Sequence, residues 1–372
     1  MKLNIAHRYN KARTGILEVN SKEIQLPCFM PVGTRANVKA ISPIDLVQLD
    51  YEVVLANTYH LMLRPGVETI ESLGGIGGFS GWPRAILTDS GGYQVFSLQA
   101  NYREEGVEFR SVYDGSTHFL SPEEASLVQY RLGSDIQMAL DVCSPLPSDP
   151  SMLREAMELT LRWGERAKDA FDSIERADDF APELFGIVQG GDDIALRCKS
   201  AELTSQQGFS GVAIGGLSVG ESQDTMLEVI SNVVTALDEN SPRYLMGVGD
   251  PVGMLQAVAL GVDMFDCVLP TRLARHGAVL SNSGRLHLRS AQFASSEQPI
   301  EANCRCITCT NHSRGFLRHL FNVGDPSALR LASIHNLAWM HSLMEKVRYC
   351  IADKSLDSLI NEVKEAFQGS AD

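Results

Sequence analysis

The chain has 372 residues, of which 44% are hydrophobic and 21% charged, and a formal net charge of −14. That length and composition allow a sizeable core and exclude a disordered or fibrous chain. So acidic a balance excludes a protein that grips nucleic acid over its whole surface, and such a partner would need a local basic patch.

The first twenty residues, MKLNIAHRYNKARTGILEVN, alternate charged and apolar side chains. They lack the continuous apolar stretch of a secretory signal. No later apolar run approaches the ~20 residues that span a bilayer, so the chain is expected to be soluble and cytosolic. The eight cysteines are then expected to be thiols, and a tight cluster among them needs another explanation.

Short apolar runs follow in order: EVVLANTYH (52–60), AILTDSGG (85–92), SDIQMALDVC (134–143), LFGIVQGG (184–191), GVAIGG (211–216), RYLMGVGD (243–250) and VDMFDCV (262–268). Each opens with β-forming residues and closes with residues suited to a loop. Helix starts are signalled at Ser42-Pro43-Ile44-Asp45 and Ser121-Pro122-Glu123-Glu124, each with an N-cap Ser, Pro at the first position and an acid in the first turn. Residues 151–170, 193–206 and 221–237 carry helical apolar spacing.

Strands alternating with helices imply parallel βα units, as an open sheet or a closed barrel. Asp89, Asp141, Gln189, Gly216, Gly247 and Asp266 fall at or just beyond the carboxyl ends of different predicted strands. One pocket fed by many strand ends is what a (β/α)8 TIM barrel provides. An open sheet would carry a Gly-rich phosphate loop after its first strand, and none stands there. After about residue 271 the alternation fades into an Arg- and Cys-rich segment, followed by helical stretches near 331–350 and 355–367. The expected layout is a catalytic barrel over 1–270, a zinc-binding, Arg-rich insert packed on it over 271–350, and a C-terminal helix and tail over 351–372.

Within that insert, Cys304, Cys306 and Cys309 are followed downstream by His335. Three thiolates and one imidazole complete a tetrahedral zinc and leave no open position, the mark of a structural metal. The other reading is three unrelated thiols and a helix-start histidine. His312 and His341 also lie near enough to be the fourth ligand. Around the cysteines, Arg272, Arg275, Arg285, Arg289, Arg305, Arg314, Arg318 and Arg330 share a stretch whose only acids are Glu297, Glu301 and Asp325. Such a concentration reads as a footprint for a phosphate backbone or as a solvated face.

Asp89-Ser90-Gly91-Gly92 puts an acid beside glycines that let a ligand approach the backbone. Asp263-Met264-Phe265-Asp266 puts a second acid at another strand end, with Asp263 nearer the strand body. Two carboxylates on one pocket suit glycosidic chemistry, one attacking the anomeric carbon and the other managing the proton. A loop-capping role for either acid is the alternative.

At DSGGYQVFSL (89–98), VQGG (188–191), AIGGLSVGE (213–221), YLMGVG (244–249), DMFDCVLPTR (263–272) and CRCITC followed by His335, the chain closely resembles the tRNA-guanine transglycosylase family. The match runs in order from about residue 5 to residue 350. It implies a β/α barrel with a zinc-binding insert, one structural zinc per chain, working as a homodimer on one tRNA. Asp266 matches the family's nucleophile and Asp89 its general acid/base. Asp141, Gln189, Gly216 and Leu217 match contacts to the base, alongside the Ser90, Gly91 and Gly92 turn, while Tyr93 and Met246 resemble the pair that sandwiches it. Gly247, Val248, Gly249, Asp250, Pro251, Val252 and Gly253, and Thr271, Arg272, Leu273, Ala274 and Arg275, match segments that hold the anticodon loop. Cys304, Cys306, Cys309 and His335 match the zinc ligands. Cys143 fits a pocket-lining thiol and Cys267 a packed core residue.

The resemblance implies a double displacement through a covalent ribosyl–aspartate, replacing the wobble guanine of U-G-U anticodon tRNAs (Asn, Asp, His, Tyr). Bacterial members resemble this chain in having Val at position 219, where eukaryotic members carry Gly, which points to 7-aminomethyl-7-deazaguanine (preQ1) as the incoming base. One rival is a non-catalytic zinc-containing tRNA-binding subunit of the same fold, against which both Asp89 and Asp266 stand. An archaeal-type enzyme would need additional RNA-binding domains, and a glycoside or nucleoside hydrolase would not need the zinc or the arginines.

Overall fold

Eight short parallel strands close into a barrel in the computed structural model, which describes residues 1–98, 100–177 and 180–368. They are β1 (Cys28–Gly33), β2 (Val53–Ala56), β3 (Ala85–Thr88), β4 (Ile136–Met138), β5 (Glu183–Val188), β6 (Gly211–Ile214), β7 (Arg243–Leu245) and β8 (Met264–Cys267). Each pairs in parallel with the next, and β8 closes on β1 in the register Met264↔Cys28 to Cys267↔Pro31. Six of the strands lie inside the apolar runs read from sequence, and β5 starts one residue ahead of its run, at Glu183. The eighth, β1, was not anticipated, because proline within PCFMPVG argues against a strand; Pro31 sits close to the strand's C-terminal end.

Strand residues alternate between two apolar clusters, as a pleated sheet buried on both faces requires. Met30, Leu55, Leu87, Met138, Ile187, Ala213, Tyr244 and Met264 point into the barrel. Phe29, Val54, Ile86, Val188, Val212, Leu245 and Phe265 face the helices. Each fully buried Leu or Ile contributes about 1.5–3 kcal/mol by leaving water. The alternation also decides the chemistry: two residues beyond inward-facing Met264, Asp266 faces the barrel interior at its carboxyl end.

The amino end of the barrel is plugged. Strands Lys2–Tyr9, Ala12–Val19 and Lys22–Leu26 form an antiparallel sheet. From it Leu17, Val19, Ile24 and Leu26 join the inward cluster. Arg13 of this sheet and Asp263 are both buried and paired, with Nε and an Nη of the arginine at 2.8 and 2.6 Å from the two carboxylate oxygens. Asp263 also accepts the Arg243 N–H at 2.8 Å. It belongs to the closed end of the barrel, opposite Asp266.

The expected helix starts are present. Ser42 and Asp45 form a reciprocal cap on Pro43–Gln48, and Ser121 caps Pro122–Arg131. Helices Pro150–Ser173, Ile194–Gln206 and Gln223–Ala236 follow β4, β5 and β6. Pro251–Ala259 and Leu269–Arg275 follow β7 and β8. Beyond them, the long helix Ser327–Asp353 packs on β1 and on Leu269–Arg275, while Leu356–Phe367 packs on Pro251–Ala259. A single apolar cluster runs from Phe29 in β1 to Val363 in the last helix. A further antiparallel sheet, Asn101–Arg103, Gly106–Arg110 and Thr117–Leu120, is inserted after β3.

Candidate active site and metal centre

The strand ends bring three carboxylates to one mouth. Asp266, next to last in β8, receives two hydrogen bonds on Oδ1, from the Tyr244 hydroxyl at 2.5 Å and the Gly247 N–H at 2.8 Å. Its Oδ2 accepts none among the described residues. Burial raises its affinity for a proton, and the two donors oppose that. The same burial, with the Asp266 charge beside it, pushes the Tyr244 phenol well above its ordinary range, so the hydroxyl remains a donor.

Asp89 follows β3. Its Oδ1 accepts the Thr58 N–H at 2.9 Å, and its Oδ2 accepts the amides of Asn57 and, at 3.0 Å, Gln94. Burial is the largest influence and lifts the carboxyl to about 6, with Asp266 adding to the rise and the three donors opposing it. A carboxyl poised there gives and takes protons near neutral pH. Each of Asp89 and Asp266 is thus clamped by neighbours that fix its orientation.

Asp141, beyond β4, accepts from Ser90 Oγ at 3.2 Å and from Gln189 Nε2 at 2.7 Å. Burial raises its pKa as well. A Cβ on Gly92 would stand 2.5 Å from Asp141 Oδ1 and 3.0 Å from its carbonyl oxygen, so any side chain here would displace the Asp141 carboxylate. Gly216 has φ +60°, and a Cβ would meet Gln189 Oε1 at 2.3 Å. Gly91, at φ +87°, precedes the short helix Gly92–Phe96, on which Tyr93 is 58% exposed. Met246, half-buried, follows β7, and the Leu217 side chain is buried. Cys143 is buried close to Asp141, which helps push its thiol up to about 12, and Cys267 packs against the core.

Sequence reading missed Arg197. It is fully buried in the helix after β5 and donates to the carbonyls of Val188, Gly191, Gly215 and Gly216. It stitches the loops after β5 and β6 together behind Gln189. Nothing in its spacing marks an arginine with that task. Asn57, Thr58 and Tyr244 were missed for the same reason.

The two segments matched to anticodon-loop contacts divide by exposure. Gly247, Asp250 and Arg272 are exposed, and Val252, Leu273 and Arg275 half-buried. Val248, Gly249, Pro251, Gly253, Thr271 and Ala274 are buried, and Asp250 caps its helix by accepting the Gly253 N–H. The arginine cluster also divides. Arg314 holds the carbonyls of Pro299 and Ile300, Arg318 that of Ser290, and Arg330 pairs with Asp45. Arg272, Arg289 and Arg305 are exposed.

Cys304, Cys306, Cys309 and His335 bring one ligand atom each within 4.8 Å of one another. The sulfurs stand 3.7, 3.8 and 3.2 Å from His335 Nδ1. Ligands about 2.0–2.3 Å from a tetrahedral zinc stand roughly 3.3–3.8 Å apart, so the four fit such an ion. His335 Nε2 lies 2.7 Å from the Leu280 carbonyl, which fixes the ring with Nδ1 turned to the thiols. His312 instead stacks on Phe316 and His341 faces Glu345. A cavity of about 900 Å³ beside this cluster, bordered by Arg305 and Trp339, includes none of the three carboxylates.

A closed parallel barrel with clamped carboxylates converging at its carboxyl face is the framework of a barrel enzyme. A family model described as queuine tRNA-ribosyltransferase matches residues 8–369. Curated relatives carry that name. The one from Thermoanaerobacter sp. strain X514 is 48% identical over 359 residues, 96% of this chain and 94% of the relative. That from Zymomonas mobilis subsp. mobilis is 47% identical over 353 residues (94% and 91%), and that from Thermodesulfovibrio yellowstonii 45% over 365 residues (97% and 94%). The chain belongs to the queuine tRNA-ribosyltransferase family and is an enzyme of the tRNA-guanine transglycosylase class. Among the described residues, no helix is long and apolar enough to cross a membrane.

Proposed function

We propose that this enzyme replaces the wobble guanine of U-G-U anticodon tRNAs with 7-aminomethyl-7-deazaguanine, through a covalent ester on Asp266. The observation that carries the reading is the contrast between two buried acids at one mouth. Asp266 has both its donors on Oδ1, which leaves the lone pairs of Oδ2 free for attack. Asp89 is held at about 6 by burial, suited to proton transfer.

In the first displacement an Asp266 oxygen bonds to C1′ of the ribose, the C1′–N9 electrons leave with guanine, and Asp89 gives its proton to N9 of the departing base. In the second, N9 of the incoming base attacks C1′, Asp89 takes its proton, and the ester electrons return to Asp266. One glycosidic bond replaces another, so no nucleotide hydrolysis is needed. Asp141, Gln189, Gly216 and Leu217 read the base edge, and Tyr93 and Met246 cover its faces, as an extruded base requires. Zinc is the metal the Cys3His set fits, held by Cys304, Cys306, Cys309 and His335 as a structural ion. The enzyme works as a homodimer in the cytoplasm, where its tRNA is found.

Incubation with radiolabelled guanine and bulk tRNA tests the reading. Label should enter tRNA without ATP and be chased out by 7-aminomethyl-7-deazaguanine. A protein that binds tRNA but incorporates no label would be the non-catalytic subunit instead.

A further inference from the structure

One cluster at the carboxyl end of the barrel has no part in the chemistry above. Tyr113 sits in the turn between strands Gly106–Arg110 and Thr117–Leu120. Arg35, just beyond β1, and Arg64, in the helical stretch after β2, both lay their guanidinium groups over its ring, at 5.2 and 4.6 Å from the centroid. The Tyr113 hydroxyl is 2.8 Å from His60 Nδ1. His60 lies two positions after Thr58, whose N–H holds Asp89. A short, hydrogen-bonded span therefore ties this platform to the proposed acid/base.

Both arginines are exposed, and among the described residues neither makes an ion pair or a hydrogen bond. The adjacent Asp114 carboxylate is turned to the N–H and hydroxyl of Ser116. Arg64 also helps hold the Asp114 carboxylate below its ordinary range, after the hydrogen bonds from Ser116 and Ser111, so Arg35 and Arg64 are two exposed guanidinium groups on one ring with one carboxylate nearby, in a chain of net charge −14. Stacking on an aromatic ring fixes a guanidinium while leaving its N–H edge open, and that planar fork matches a phosphate. Around the mouth the strands run β8, β1, β2, β3. Arg272 follows β8, Arg35 follows β1, Arg64 follows β2 and Tyr113 follows β3, so basic groups trace an arc that ends beside Asp89.

We propose that Arg35 and Arg64, stacked on Tyr113, bind two backbone phosphates of the RNA next to the reacting nucleotide, extending the track that begins at Arg272. This rests on the tRNA reading above. Phosphate suits the site better than a base, because the tyrosine ring is already covered by the two guanidinium groups.

The test is guanine exchange on an anticodon stem-loop RNA at several salt concentrations, for wild type, R35A/R64A and R35K/R64K. The alanine pair should raise the RNA KM at least tenfold, more than it lowers kcat, and leave the KM for guanine unchanged. Its log KM should also depend less steeply on log salt, by about 1.4 in slope for two single-strand phosphates. The lysine pair should recover that slope, which a merely structural role would not explain. An active wild type with alanine variants of unchanged RNA KM and slope overturns this inference alone. A wild type that exchanges no guanine overturns the functional reading and this inference with it.

Discussion

The Tyr244 hydroxyl donates to Oδ1 of Asp266 across 2.5 Å, and both side chains are buried. A hydrogen bond to a buried carboxylate stabilises its charged form by about 1.5–3 kcal/mol. In the proposed cycle that charge is spent when Asp266 attacks and returns when the ester breaks. Tyr244→Phe should therefore make Asp266 a poorer leaving group, slow turnover roughly 10–100-fold and raise the fraction of enzyme trapped as adduct. Asp266→Asn should bind tRNA and form no adduct. A denaturing gel of enzyme with tRNA reads both, and an adduct persisting in Asp266→Asn would remove it as the nucleophile.

Asp89 gives a pH dependence with a definite sign. Its folded pKa of about 6 lies above the ordinary carboxyl value, so the folded state holds the proton more tightly than the unfolded chain. Stability is then lost as pH rises from about 4 to about 6, the converse of a salt-bridged acid. A rise of about two units corresponds to about 3 kcal/mol. In Asp89→Asn the melting temperature relative to wild type should improve between pH 4.5 and 7.5, while guanine exchange is lost. Exchange by the wild type should be fastest near pH 6, where Asp89 can both give and take a proton. A variant whose relative stability does not change with pH would show that Asp89 ionises normally.

The parts of this molecule legible in the sequence are those with a short-range pattern. Asp89, Asp141, Gln189 and Asp266 could be placed at strand ends because apolar runs precede them, and the alternation through Met264 turns Asp266 inward. Strand β1 escaped because Pro31 argues locally against a strand, although barrel closure through Cys267↔Pro31 overrides it. The N-terminal sheet was visible only as an alternation of charged and apolar residues. Its role as a plug depends on Leu17 and Ile24 meeting a barrel built from distant strands. Arg197, Tyr244 and Asn57 act through contacts long in sequence or through backbone carbonyls, and no spacing rule identifies them. The arginine cluster misled in part, since Arg314, Arg318 and Arg330 serve the fold.

The metal cluster shares its surroundings with the barrel core. Cys306 and Cys309 are buried in the same apolar cluster as Leu331 and Ile334, and Cys306 Sγ also accepts the Cys309 N–H at 3.4 Å. Removing one ligand from a closed site releases the ion and exposes thiols to an apolar interior. Purified protein should contain about one zinc per chain. Cys306→Ser should lose it and increase hydrogen exchange across residues 300–340. Wild-type protein without metal, whose stability ignores chelators, would reject the zinc assignment.

Val219 is the residue we expect to select the incoming base. The segment around it is pinned on both sides. Glu221 accepts the backbone N–H groups of Ser218 and Val219, the latter at 3.0 Å, and Ser218 adopts φ +60°. Gly220 packs so closely that a Cβ would stand 2.7 Å from the Leu146 carbonyl. A half-buried, β-branched side chain on a fixed backbone cannot easily swing aside. It should therefore form a wall where the 7-substituent of the base lies. On the proposed reading a short aminomethyl group should fit against such a wall, with its ammonium donating to a backbone carbonyl near Leu217, whereas a cyclopentenyl substituent should collide. A steric wall and one charge-assisted hydrogen bond together discriminate by a few kcal/mol, about a hundredfold or more. Displacement of labelled guanine from tRNA by each free base measures this directly. Wild type should prefer the aminomethyl base over queuine by that factor, and Val219→Gly should gain queuine use while keeping the smaller substrate. Equal use of both bases by the wild type would refute the assignment of substrate. An unchanged preference in Val219→Gly would place the wall on another residue, and the half-buried Cys267 and Met246 are too far along the chain from the pinned 218–221 segment to inherit the same backbone argument.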